Sequence, residues 1–502
     1  MTADFSRSPA PDTTDLLASL ATGRTTARAA VEDAIRRIEA VRGLNALVAD
    51  QFAAARAEAD AIDAARARGE PLGPLAGVPV VIKETLPVAG LPCTSGVVRL
   101  KDARAEKTDR HVARLVDAGA IVLGVTNVAQ GLFFIESDNP LYGRTNHPLS
   151  PDRSPGGSSG GQAALIAAGC VPLGLGSDIG GSVRQPAASC GIVGLKPTAG
   201  RLPDDGNLSM PRGQSLIQSQ VGVHARSVRD VVLALGVLDR VGPIPATRGQ
   251  RIGVYVDDGV FAPSAAVVRG VRLAADALRR AGAEVIEWRI PELEYGFSLF
   301  GRAFASDGGR WAKELVGGGP MDRRLAAFVQ GASAPRWAHP LILALFRASG
   351  RRKLATLVSN YGHTDAASYW RTAEELFAWR ERCLAAMDEA RLDAVLSPGF
   401  ALPTIRHGAS QELIVAGTYT STWNALGWPA GVVPTTRVLE GEERGTPRGD
   451  DVMERTAAAT EEGSAGLPVA AQISARPGED ERVLGLLATI EADARVRGEN
   501  VP

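Results

Sequence analysis

The sequence lacks several patterns that mark common protein classes. Lys and Arg total 55 while Asp and Glu total 56, so there is no excess of positive charge to neutralise nucleic-acid phosphates. The four cysteines are far apart without a CxxC pair, and the six histidines show no HExxH spacing. We therefore expect no nucleic-acid partner, no disulfide framework and no metal site.

Long apolar runs are also missing. No window approaches 18 uninterrupted apolar residues, so we predict no membrane-spanning helix. Residues 1–15 are polar and have neither the basic start nor the apolar centre of a signal peptide. The expected location is therefore the cytoplasm. Gly and Pro are dispersed among apolar segments, which excludes collagen-like and low-complexity classes.

Helical patterns alternate with short apolar runs along the chain. Apolar residues recur at helical spacing from Val31 to Val41, and Thr25 or Thr26 stands where it can cap that helix. This alternation predicts an α/β fold with a largely buried sheet. Helices are predicted at 110–118, 264–281, 370–390 and 479–497, and strands at 121–125, 284–288, 393–396, 430–434 and 467–473.

Two segments stand out from this alternation. Residues 439–464 are charged and loop-like, and we interpret them as a polar surface excursion. Residues 336–346 read RWAHPLILALF, with Arg347 and further basic residues to Lys353 just beyond. The segment is either a core helix interrupted by Pro340 or an amphipathic cap that lies on a membrane or gates an apolar substrate.

Two runs rich in Gly and Ser lie between residues 154 and 203: SPGGSSGGQAALIAAG and GLGSDIGGSVRQPAASCGIVGLKPTAGRLP. Ser158 and Ser159 precede an Ala-rich helical stretch, and Ser182 follows two glycines, so hydroxyls stand on tightly bending backbone. A phosphate-binding loop is disfavoured because GGSSGGQ has no Lys at the required position. Four neighbouring amides form a candidate oxyanion hole with unobstructed donors: Ile179, Gly180, Gly181 and Ser182.

A nucleophilic serine needs a base. Neither run contains a His, and the G-x-S-x-G elbow is missing, although a distant His stays possible. Lys83 ends the apolar strand-like run 78–82. Burial there would favour the neutral amine, which accepts a proton, whereas a head group that reaches water would stay charged.

The stretches GGSSGG, GSDIGGSVRQPA and GVPVVIK resemble the amidase signature family, whose serine hydrolases use a Ser-Ser-Lys triad with one serine preceded by a cis peptide. By that resemblance Ser182 corresponds to the nucleophile, Ser158 to the bridging serine and Lys83 to the base. Neither a metal nor an organic cofactor is implied. The same resemblance assigns the oxyanion hole to Ile179, Gly180, Gly181 and Ser182. Asp178 and Arg184 flank this loop, so we expect them, together with Ser159, to support it by hydrogen bonds.

Outside these runs, TNVAQGLFFIESDNPLYGRTNHP, FASDGGR, YTSTWNALGWPAGVVPTTRV and GLPVAAQ resemble the fatty acid amide hydrolase branch more than the glutamyl-tRNA amidotransferase branch. The resemblance implies a central mixed twisted β-sheet covered by helices on both faces. It implies one catalytic domain at 25–497 after a tail at 1–24, with core motifs at 75–203 and an apolar cap at 335–353. It also puts Leu132 and Phe133 beside the nucleophile.

The expected substrate is a small-molecule amide with a fatty-acyl or other apolar N-acyl group, because Leu132 and Phe133 are both apolar. Alternatives are aryl-acylamides, carbamates or small amides, the amide-transfer component of a glutamine-dependent complex, and a catalytically silent binding protein. Residues 336–353 would allow peripheral membrane contact, and an apolar surface would also support a homodimer.

Overall fold

The computed structural model describes residues 11–204, 213–359, 362 and 364–499. Its strands are β1 (Leu47–Asp50), β2 (Pro79–Lys83), β3 (Ile121–Thr126), β4 (Asp138–Asn139), β5 (Gly143–Arg144), β6 (Leu173–Asp178), β7 (Val193–Lys196), β8 (Gln220–Ala225), β9 (Arg251–Val254), β10 (Glu284–Glu287), β11 (Ala394–Pro398), β12 (Ala430–Arg437) and β13 (Pro468–Ala475).

Its helices are α1 (Thr13–Ala21), α2 (Ala27–Ala40), α3 (Phe52–Ala67), α4 (Arg110–Asp117), α5 (Gly160–Ala167), α6 (Arg184–Cys190), α7 (Val228–Leu238), α8 (Ala265–Arg280), α9 (Leu293–Phe304), α10 (Arg310–Val316), α11 (Arg323–Ala332), α12 (His339–Ala348), α13 (Arg352–Val358), α14 (Ala366–Glu389), α15 (Thr418–Leu426), α16 (Val452–Glu461) and α17 (Asp480–Val496).

Eleven strands form one mixed sheet in the order β1-β3-β2-β6-β8-β7-β12-β13-β11-β9-β10. Strand β2 lies parallel to both β3 and β6, whereas β8 runs antiparallel to β6 and β7. The carboxyl ends of β2 and β6 therefore meet at one edge of the sheet. Lys83 and Asp178 are the last residues of these two strands, so the topology brings two distant motifs together.

Helices bury both faces of the sheet. In β2, Val80 and Ile82 join a core with residues of α4, α7, α8 and α17, whereas Val81 joins a second core with residues of α2, α3 and α5. Side chains of a strand point alternately to opposite faces, so an apolar run such as PVVI fits a strand covered on both sides. The predicted α/β fold with a mixed, doubly covered sheet is confirmed.

The predicted helices and strands are present with boundaries that differ by a few residues. Thr26, one of the two predicted caps, accepts a hydrogen bond from the Ala29 amide at the start of α2. Two surface assignments need correction. Part of the expected tail forms α1, which buries Leu16 and Leu20, and part of the expected excursion forms α16, which buries Met453 and Ala457. Both helices are short, so few apolar residues mark them in the sequence.

The segment RWAHPLILALF contains most of α12 and does not belong to the core, because Trp337, Leu341 and Leu345 are 79%, 70% and 69% exposed. Pro340 does not interrupt the helix: it lies in the first turn, where its missing N–H has no helical partner to lose. Within the described ranges, no helix is long and apolar enough to cross a bilayer.

Candidate active site

Lys83 is fully buried at the end of β2. Its Nζ lies 2.8 Å from Ser158 Oγ and 3.0 Å from Ser177 Oγ, so the buried amine is hydrogen-bonded to two hydroxyls. Burial lowers the pKa of the Lys83 ammonium from its usual 10.5 to about 7, because desolvation disfavours the charged form. The pKa of Lys83 thus suits a general base that works near neutral pH.

Ser158 stands on a loop that only glycines can build. The Gly157–Ser158 peptide is cis, as the family resemblance implies. A Cβ on Gly157 would lie 2.5 Å from the Glu136 nitrogen, and Gly156 has a φ of +92°. The Gly157 amide donates to Gln185 Oε1 at 3.0 Å, which ties this loop to α6. The Ser158 side chain is therefore held on well-packed backbone.

Ser182 lies on the loop between β6 and α6 and is only 9% exposed. Gly181 in this loop has a φ of +117°, and a Cβ there would lie 2.3 Å from Thr420 Oγ1. The Ser159 amide donates to the Ser182 carbonyl at 3.2 Å, and Ser159 Oγ donates to the Ser177 carbonyl at 3.3 Å. Ser159 therefore links the two serine-bearing loops.

The four amides expected to be unobstructed are not equivalent. The Gly181 amide donates to Asp178 Oδ1 at 2.8 Å, so this N–H already has an acceptor inside the protein. The carboxylate of Asp178 also accepts from the Val183 amide at 3.1 Å. Ile179, Gly180 and Ser182 are left as the candidate oxyanion donors. The sequence could not reveal this difference, because an Asp two or three residues from a glycine has many conformations open to it.

Asp178 and Arg184 form a fully buried ion pair at 2.9 Å. Burial by itself raises the pKa of Asp178, but the adjacent guanidinium holds that pKa well below its usual range. The remaining Arg184 donors reach Thr420 O, Gln472 Oε1 and Asn424 Oδ1. Asp178 and Arg184 thus hold the Ser182 loop against α15 and β13.

Sequence reasoning assigned no role to several of these partners: Ser177, Gln185, Thr420, Asn424 and Gln472. Asn424 and Thr420 belong to the quoted stretch YTSTWNALGWPAG, and Gln472 ends GLPVAAQ. Those stretches resemble the family, but they contribute to the site through hydrogen bonds with Arg184, which lies more than 200 residues earlier in the chain. A single sequence contains no signal for that contact.

Ser182 opens into an apolar cavity that Leu132 and Phe133 also line. The rings of Phe297, Phe300 and Phe304 stack in sequence along α9, with centroids 6.5 Å and 5.8 Å apart. Further lining comes from Ile135, Ile179, Gly180, Arg324, Phe328, Phe346, Leu354, Gln411, Ile414, Gly417 and Ser421. The cavity therefore offers an extended aromatic wall beside the serine.

Arg324 is the charged side chain of this lining, and it is 3% exposed. Its guanidinium contacts Glu136 at 3.0 Å, Asp138 at 3.0 Å and Asp322 at 2.8 Å. Three carboxylates thus surround one guanidinium, and their charges raise the pKa of Arg324 against the opposing effect of burial. The group anchors α11 to β4 and the residues just before it, and it leaves the cavity without an unpaired cation.

Within the described residues, no three His, Cys, Asp or Glu side chains come together as a set that could hold a metal ion. Cys93, Cys170, Cys190 and Cys383 are all free thiols.

Comparisons with known proteins show which family the chain belongs to. The model of the Amidase family matches residues 29–484. Fatty-acid amide hydrolase 1 of Sus scrofa is 34% identical over 442 residues, which cover 84% of this chain and 76% of that protein. A glutamyl-tRNA(Gln) amidotransferase subunit of Deinococcus radiodurans is 32% identical, over 96% of this chain and 97% of its own.

A solved structure of a fatty acid amide hydrolase has the same fold. It superposes with a TM-score of 0.80 over 98% of this chain and 87% of its own, at 23% sequence identity. The family match covers both serine-bearing loops and the strand that ends in Lys83. This chain belongs to the amidase family and is an amide hydrolase.

Proposed function

We propose that the protein hydrolyses apolar N-acyl amides through Ser182 as nucleophile, Ser158 as bridging serine and Lys83 as base. The observation that carries the proposal is the fully buried Lys83, with a pKa lowered to about 7 by burial and Nζ 2.8 Å from Ser158 Oγ. A lysine in that state accepts a proton at neutral pH, which a solvent-exposed lysine does not.

In the proposed reaction, neutral Lys83 takes the Ser158 proton while Ser158 takes the Ser182 proton. Ser182 Oγ attacks the carbonyl carbon, and the carbonyl electron pair moves to oxygen. The amides of Ile179, Gly180 and Ser182 would stabilise that oxyanion, each donor contributing about 3 kcal/mol in comparable sites. The proton then returns to the leaving nitrogen, the C–N bond breaks, and water hydrolyses the acyl-enzyme with the same base.

The cavity supports an apolar acyl group. Leu132 and Phe133 line it together with Ser182, and the ring of Phe300 lies 3.2 Å from where a Gly180 Cβ would be. Aromatic rings beside the reacting carbonyl also favour aryl-acyl amides as a second candidate substrate class.

The substrate class is tested with p-nitroanilides from acetyl to oleoyl and with aryl-acetyl counterparts, using Ser182→Ala as the inactive control. We expect kcat/KM to rise with the apolar area of the acyl group. A preference for acetyl would contradict the apolar assignment while leaving the mechanism intact. Activity that appears only with a co-purifying protein would favour the amide-transfer role, which the similarity to the Deinococcus radiodurans protein motivates.

We also propose that the exposed face of α12 and of the turn before it contacts lipid surfaces, since Trp337, Leu341 and Leu345 are all exposed there. Three of the basic residues beyond it already pair with carboxylates. Arg351 pairs with Glu412 at 3.0 Å, and two further ion pairs join Arg352 to Asp450 and Lys353 to Glu454. Apolar insertion, not charge, would therefore dominate the contact.

A further inference from the structure

The wall of the cavity formed by α15 contains a hydroxyl whose hydrogen-bonding capacity is unused. Ser421 lines the cavity and is 4% exposed. Its Oγ makes no hydrogen bond within the part of the chain that the structure describes. A buried hydroxyl without a partner is unfavourable, and native proteins satisfy nearly all such groups. An unpaired hydroxyl that faces a substrate cavity therefore points to a ligand atom as its partner.

An unfilled space lies on the same side of the helix as the Ser421 hydroxyl. Gly417 is the N-cap residue of α15 and precedes Ser421 by four residues, so the two lie on the same side of the helix. Gly417 is buried and lines the cavity, yet a Cβ added there would meet no atom within 4 Å. Its φ of −75° is one that any residue adopts, so backbone geometry does not require glycine here. The missing side chain instead leaves a notch in the cavity wall.

The notch lies close to the candidate oxyanion loop. Thr420, the neighbour of Ser421, donates from Oγ1 to the Gly180 carbonyl at 2.9 Å and packs against Gly181. The other hydroxyls on this helix have hydrogen-bond partners within the protein. Thr418 Oγ1 donates to Asp258, Tyr419 donates to the Phe261 carbonyl at 2.8 Å, and Thr422 Oγ1 donates to the Thr418 carbonyl at 2.8 Å. Ser421 thus carries the hydroxyl of this helix that a ligand in the cavity can reach.

We infer that Gly417 and Ser421 form a specificity subsite for a hydrogen-bonding oxygen, of ether or hydroxyl type, carried on the otherwise apolar acyl chain. The inference rests on the proposed function for the identity of the reacting amide. Ser421 Oγ–H donates to the substrate oxygen, and the notch at Gly417 provides the volume. A purely aliphatic chain would leave the Ser421 hydroxyl unpaired, so the site discriminates against it.

The test compares nonanoyl p-nitroanilide with isosteres in which one methylene, at the third, fifth or seventh chain position, is replaced by an ether oxygen. We expect one isostere to exceed the nonanoyl amide in kcat/KM by about tenfold, the value of one buried hydrogen bond. Ser421→Ala should bring that ratio close to one. Because each isostere is compared between two proteins, the inductive effect of the oxygen on the amide cancels.

Thr422→Ala is the matched control, since it removes a buried hydroxyl of the same helix that is satisfied within the helix. It should retain the ether preference. Gly417→Val should abolish the preference by filling the notch. Ser421→Ala should also unfold at the same or a higher temperature than the wild type, which separates loss of recognition from loss of structure. Equal ratios in wild type and Ser421→Ala for every isostere would overturn the subsite.

Binding of the same amides to Ser182→Ala, measured by calorimetry, separates the two proposals. A wild type that hydrolyses none of the amides, together with ether-selective binding that Ser421→Ala removes, would refute the proposed function and support the subsite. Turnover without ether-selective binding or rates would support the proposed function and refute the subsite.

Discussion

The pH dependence of kcat/KM follows directly from the burial of Lys83. Its pKa is lowered from 10.5 to about 7 because desolvation outweighs the charges of Asp204, Asp178 and Glu84, which favour the ammonium. Only the neutral amine can act as base. For a single group of pKa about 7, the neutral fraction is about one tenth at pH 6 and about one hundredth at pH 5, so kcat/KM should fall tenfold per unit.

The assay is the initial rate of hydrolysis of an acyl p-nitroanilide from pH 5 to 9, at substrate concentrations far below KM. Burial lowers the pKa of His224 to about 4, so this histidine stays neutral over most of that range. Burial also lowers the pKa of Lys196 to about 7, and Lys196→Gln is therefore the essential control. A flat profile, or an inflection that disappears in Lys196→Gln, would refute Lys83 as the titrating base.

Asp178→Asn should destabilise the protein by about 3–5 kcal/mol in urea unfolding, because Arg184 keeps its charge without its buried partner; an unchanged midpoint would contradict this. The unfolded state binds the Lys83 proton up to pH 10.5 and the native state only to about 7, so stability rises with pH in that window. Lys83→Met should remove roughly 2 kcal/mol of the rise between pH 7 and 9, measured by urea unfolding at both values. Trp337→Asp with Leu341→Asp should abolish co-sedimentation with neutral vesicles, and raising the anionic lipid fraction should not restore it.

The sequence predicted the sheet and its covering helices because apolar spacing reports burial. Strand β2 is apolar at every position before Lys83, which fits two covered faces. The strand order could not be predicted, since β6 pairs with β8 and β2 through contacts that no local pattern encodes. Pro340 was wrongly expected to interrupt a helix because proline breaks a helix interior but suits its first turn.

The residues of the candidate site were predicted from motifs, whereas their hydrogen-bond partners were not. Lys83 and the Ser182 loop stand at the ends of two parallel strands that lie side by side, and the loop that carries Ser158 and Ser159 contacts both of them. The use of the Gly181 amide by Asp178 depends on a loop conformation that the letters GSDIGGS do not specify. The unpaired hydroxyl of Ser421 is likewise a property of packing, because a serine in a helix is ordinarily satisfied by a carbonyl one turn earlier.

The most direct test of the central claim is the identity of the residue that a serine-directed fluorophosphonate modifies. The wild-type protein should gain one label, and peptide mass spectrometry should place it on Ser182. Ser182→Ala should take up no label while retaining the thermal unfolding of the wild type. Labelling that persists in Ser182→Ala, or that maps to a serine outside the loop between β6 and α6, would contradict the account.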